Sequence, residues 1–141
     1  MAAAVLTPRI RLMSICDGIR ESKTEAGVFQ VKGLHQRIEA QVFPFAPASL
    51  WLLVVFSSPR SGAFPGYVLV VDDRSDQTIF YGQLTPSPTF ETNVEIVSNI
   101  TRLRCSFPQP GRYMIQIWFF QEHGRDVLKG ELPFIVSEEG G

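Results

Sequence analysis

The run Phe107-Pro108-Gln109-Pro110-Gly111, followed by alternating residues over 112–120, constrains this chain more than any other segment. Proline fixes φ and removes a donor, and glycine reaches conformations closed to other residues, so Pro110 and Gly111 reverse the chain just ahead of a strand-like pattern. Tyr113, Ile115, Ile117 and Phe119 form one row; Arg112, Met114, Gln116, Trp118 and Phe120 form the other. Such a period of two behind a turn marks an antiparallel strand with one face on a core.

The same reasoning recovers further strands upstream. Over 9–16, Ile10, Leu12 and Cys16 share one side and Arg11, Met13 and Ile15 the other, with Asp17-Gly18 as the closing turn. A second strand is expected over 28–40. Its apolar phase changes from Phe29 and Val31 to Leu34 and Ile38, and Gly33 sits where a bulge would supply the extra residue. Segments 50–56 and 67–71 are apolar without alternation, which places them centrally with both faces covered, or with one face against another chain. Residues 72–76 read as a hairpin turn into a strand over 78–82, and further strands are expected over 92–97 and 101–107. The strand over 112–120 pairs with one over 127–136, and Pro133, lacking a ladder donor, places an edge there.

No amphipathic helix of three turns and no internal repeat occurs. Eight or nine short strands joined by Pro- and Gly-rich turns predict an all-β, two-sheet antiparallel β-sandwich. At 141 residues one domain is expected over 9–136, with an N-terminal extension at 1–8 and a flexible tail at 137–141. With 45% hydrophobic and 19% charged residues the chain falls among globular proteins rather than disordered ones. A formal net charge of −1 argues against nucleic acid and anionic lipid as partners. The apolar run at 2–6 is shorter than a secretory h-region and no stretch reaches membrane-spanning length, so a cytoplasmic protein is expected, with Cys16 and Cys105 as small core thiols rather than a disulfide.

Pro110-Gly111-Arg112-Tyr113 leading into alternating residues resembles the turn-plus-tyrosine entry to a late strand of immunoglobulin-like domains, which implies a phenol hydroxyl tied back to upstream backbone. The chain departs from the antibody pattern, since no cysteine follows Tyr113 by two positions and Cys105 precedes the turn. More broadly it resembles an uncharacterised family of small bacterial β-sandwich domains. The likeness lies in Ser14-Ile15-Cys16-Asp17-Gly18, Gly33-Leu34, Arg37-Ile38, the turn from Phe107-Pro108 to Tyr113, and Leu128-Lys129-Gly130-Glu131. It spans nearly the whole chain and implies a fold with no assigned activity, so no functional residue carries over. Gly33, Pro110, Gly111 and Tyr113 are expected to act structurally.

Few constellations point to chemistry. Asp72, Asp73 and Asp76 offer oxygens to a hard cation, yet lack EF-hand spacing and suit a solvated turn. His35 and His123 lie far apart with no nucleophile or carboxylate motif beside either. No nucleophile elbow, phosphate-binding glycine loop or His-Glu-x-x-His motif occurs, so no catalytic residue, cofactor or enzyme activity is expected. Asn99-Ile100-Thr101 matches the glycosylation pattern by coincidence, and Gly140-Gly141 reads as a frayed end rather than a conjugated tail. Arg102 and Arg104 fit a solvated outer face.

The exposed-face candidates remain. Trp51, Leu53 and Val55 on one strand, and Met114, Trp118 and Phe120 on another, suit a protein partner or a second copy of the chain. The expected function is a non-catalytic interaction or structural module, a homodimer through an apolar sheet face. The alternative is a carbohydrate-binding module with Trp118 or Tyr81 as the stacking platform for a sugar.

Overall fold

The computed structural model describes residues 7–25, 28–58, 60–91 and 96–139. All regular structure among them is β. The strands are β1 (Arg9–Glu21), β2 (Phe29–His35), β3 (Arg37–Ala40), β4 (Trp51–Ser57), β5 (Gly62–Ala63), β6 (Gly66–Asp72), β7 (Thr78–Gln83), β8 (Thr89–Phe90), β9 (Ile96–Arg102), β10 (Gly111–Phe119) and β11 (Val127–Glu138). They form a four-stranded sheet in the order β2-β1-β4-β9, a five-stranded sheet in the order β3-β11-β10-β6-β7, and a small pair, β5 with β8.

One core lies between the two larger sheets. Leu52, Val54 and Phe56 of β4 meet Val68 and Val70 of β6 and the row Tyr113, Ile115, Ile117 and Phe119 of β10, all essentially without solvent contact. Phe56 and Phe119, one from each sheet, pack edge to face with ring centroids 5.6 Å apart. β4 and β6 are interior strands of their sheets, as their unbroken apolar character requires. At the entry to β10, the Tyr113 hydroxyl donates to the Gln109 carbonyl at 2.6 Å, and the ring stands between Phe107 and Phe134. The turn at 73–75 joins β6 to β7 where the aspartates were expected to make one.

Several expectations change. β1 does not stop at Asp17-Gly18: Gly18 pairs with Lys32 and the strand continues to Glu21, because a partner strand supplies the ladder that overrides turn chemistry. A bulge between Ile10 and Leu12 turns Ile10 inward beside Met13, while Leu12 is left 48% exposed. The second strand is two strands in different sheets. Register holds through Gly33, so no bulge arises there. The phase change comes from Gln36, where the chain crosses between sheets, and Leu34 faces solvent instead of the core.

β3 then pairs with β11 in parallel, so the second sheet is mixed rather than wholly antiparallel. Beyond Arg102 the alternation expected over 101–107 persists as burial of Leu103, Cys105 and Phe107, but no ladder continues; Phe107 only bridges to Phe45. Of the nine expected strands, that over 101–107 is lost as a separate element, that over 28–40 is split in two, and β5 and β8 are added, which brings the number to eleven. β11 runs to Glu138, past the boundary set at 136, and Pro133 lies before the stretch that β3 covers. The N-terminal run 1–6, the start of the strand expected over 92–97, and Gly140-Gly141 lie outside the described residues.

Candidate functional site

The outward face of the five-stranded sheet carries a cluster of four aromatic rings. Register sets it. Trp118 of β10 lies opposite Tyr67 of β6, and one row on, Leu69 of β6 lies between Gln116 of β10 and Tyr81 of β7. Directly opposed residues of an antiparallel pair point to the same side, so these side chains share one surface. Tyr67 is the hub. Its ring is parallel to Trp118 within 1° at 6.3 Å, tilted on Tyr81 at 5.3 Å and on Phe120 at 4.9 Å. Tyr81 is 53% and Phe120 40% exposed.

Polar groups fix the cluster's edges. The Tyr67 hydroxyl donates to Asp126 Oδ2 at 2.8 Å, and the Trp118 indole N–H donates to Gln116 Oε1 at 3.0 Å. Burial first, then the neighbouring Asp126 carboxylate, pushes the Tyr67 phenol up to about 12. At Phe120 the surface passes into a cleft of about 470 Å³ lined by Arg60, Phe64, Phe119, Glu122 and His123. The Arg60 guanidinium lies 4.6 Å from the Phe64 ring centre. Flat apolar rings bordered by carboxylate, amide and guanidinium groups can stack on an apolar ligand surface and hydrogen-bond at its rim.

Of the sequence candidates, Trp118 and Phe120 join this cluster, and Met114 lies four residues before Trp118 on the same face of β10. Tyr67 was missed, because within an unbroken apolar strand nothing marks which side a residue faces. Trp51, Leu53 and Val55 occupy the outward face of the other sheet and are far less open than their composition suggests. Leu53 is buried, the Trp51 indole donates to Ser49 Oγ at 3.1 Å, and the Arg102 guanidinium lies 5.8 Å from the Trp51 ring centre while donating to the Ala48 carbonyl at 2.8 Å. Arg102 stays exposed, as expected of an outer face, while also lying over the Trp51 ring.

Asp72, Asp73 and Asp76 have separate tasks. Asp72 is buried, and the Arg74 backbone N–H, donating to its Oδ1 at 2.9 Å, holds its carboxyl below the usual carboxylate range. Asp73 pairs with Arg112 at 3.2 Å, and Asp76 turns the chain at φ 58°. Among the described residues no group of three His, Cys, Asp or Glu side chains could hold a metal ion.

His35 does have a carboxylate beside it, contrary to the sequence reading: its Nε2 lies 2.7 Å from Asp17 Oδ1 across the β1–β2 pair. Ser49 is adjacent, but its hydroxyl donates to the Asp17 backbone carbonyl at 2.5 Å and makes no bond to the imidazole. A nucleophile–base pair needs that bond. Cys16 and Cys105 are free and buried, and burial pushes the Cys105 thiol up to about 11. Asn99 is buried, its amide donating to the Pro86 carbonyl at 3.2 Å. No described helix is long and apolar enough to cross a membrane.

No family model and no curated protein matches the sequence. Among solved structures the chain is similar to the PmoD soluble domain from Methylocystis sp., at 11% identity and a TM-score of 0.38, covering 91% of this chain and 96% of that one. Similarity at that level carries no inference about this chain.

Proposed function

We propose that this chain is an immunoglobulin-like β-sandwich acting as a non-catalytic interaction module, with the aromatic face of the five-stranded sheet as its contact surface. The observation that carries this reading is the Tyr67-centred cluster, whose Tyr81 and Phe120 stand open to solvent. The Tyr113 tie to Gln109 supports the immunoglobulin-like part of it. Large rings with a polar tip lose little conformational entropy on contact, which suits the centre of a protein interface. The partner is a protein, in a setting expected to be cytoplasmic.

Affinity recovery from the native cell, with the wild-type chain compared with Tyr81→Ser and Phe120→Ser, tests the reading. Both variants lie at exposed positions, so they should keep the wild-type unfolding midpoint yet lose a partner that the wild type retains. Equal recovery by all three chains would refute it.

The parallel Tyr67 and Trp118 rings favour one second reading, a carbohydrate-binding module, since sugars stack on such a platform. Titration with a glycan panel while following tryptophan emission decides between them. A saturable change abolished by Tyr81→Ser supports a sugar ligand, and a flat response across the panel removes it.

A further inference from the structure

The chain enters β1 from the cleft beside Phe120. Thr7 and Pro8, the two residues ahead of Arg9, are buried, and Thr7 lines that cleft of about 470 Å³. Proline disfavours the helical region for the residue before it, so Thr7 prolongs the extended course of β1 into the cleft. Backbone hydrogen bonds fix the apolar wall there: the Phe120 N–H donates to the Pro65 carbonyl at 3.1 Å, and the Phe64 N–H donates to the Pro88 carbonyl at 2.9 Å. Ala63, Pro65 and Phe120 all lie exposed in it. The wall is preformed, and its apolar surface is uncovered by any described residue.

We propose that residues 1–6 of the same chain fill this cleft, as a strap that covers the Phe120 side of the aromatic surface and competes with the partner for it. Position selects this occupant. The segment lies outside the described residues, but it is joined to Thr7, which is already in the cleft, and Val5 is at most about 7 Å along the chain from there. Composition selects it as well. Met1-Ala2-Ala3-Ala4-Val5-Leu6 carries no charged or hydroxyl side chain, so an apolar wall favours it over water. Residues 92–95, the other stretch of more than two outside the described residues, contain Thr92, Asn93 and Glu95. A tethered segment docks without losing translational freedom, at an effective concentration that a free partner or a second copy must exceed. Val5 and Leu6 are its two branched apolar side chains next to the cleft, few enough for a partner that buries the whole aromatic face to displace.

The competition rests on the interaction reading, whereas occupancy of the cleft does not, and two measurements separate them. Nuclear Overhauser contacts on the full wild-type chain test occupancy without any variant. The Val5 and Leu6 methyls should contact the Phe64 and Phe120 rings, and a mixture of methyl-labelled and unlabelled chains should show no such contact between chains. Missing contacts overturn the proposal, as do contacts found only between chains, which would put a second copy's segment in the cleft. Competition is read on the partner recovered by affinity from the native cell: Leu6→Asp should bind it roughly threefold or more tighter than the wild type, because a larger fraction of the chain has its face open. Equal affinity overturns the competition. Recovery of no partner by either chain removes the interaction reading and the competition together, while the methyl contacts still decide whether the strap fills the cleft.

Discussion

Tyr113 and Asp72 show what single side chains contribute here. The Tyr113 ring is fully buried and its hydroxyl donates to the Gln109 carbonyl, so Tyr113→Phe removes a hydrogen bond at nearly constant volume. Loss of about 1–2 kcal/mol is expected in urea unfolding. Asp72 gives a pH signature with a definite sign. Its folded-state acidity is enhanced, so its contribution is present above the unfolded carboxylate range and disappears as pH falls through the lower folded value. Stability of the wild type should therefore drop on acidification below about pH 4, and in Asp72→Asn that part of the drop should be absent. The tyrosine tie was legible in Pro110-Gly111-Arg112-Tyr113. The capping of Asp72 by Arg74 was not, since an aspartate run in a turn looks the same whether its first member is buried or wet.

Among the elements, the β1–β2 ribbon departs furthest from its sequence reading. Asp17-Gly18 and Gly33 both carry turn chemistry, yet both lie inside strands. Gly33 is needed for two reasons: its φ is left-handed, and a Cβ there would meet the Asp17 carboxyl group that reaches His35. Gly33→Ala should cost about 1–2 kcal/mol locally. Hydrogen exchange should quicken in β1 beyond Cys16 and in β2, with β10 little changed; unaltered exchange in the ribbon would contradict this. β10 is the opposite case. Strict alternation made its two faces readable, and the buried row and the Trp118 row are those that the sequence separates.

At the scale of the whole molecule, stability rests on the closure of two sheets over one set of side chains. Phe56 and Phe119 join the sheets edge to face, so Phe56→Ala should cost about 3–5 kcal/mol and lower the thermal midpoint, a far larger effect than any of the face variants. A small change would mean that the sheets close elsewhere. Alternation, turn residues and unbroken apolar runs determined on their own that this is an all-β chain, where most strands lie, which side of β10 is buried, and that β4 and β6 are interior. Only the tertiary structure decided that the chain changes sheets at Gln36, that β3 joins β11 in parallel, that His35 meets Asp17, and that Tyr67 lies between Trp118 and Tyr81. The physical reason is that side-chain period is a property of one strand, written locally. Which strands become neighbours depends on how distant apolar surfaces bury one another, and no single segment carries that information.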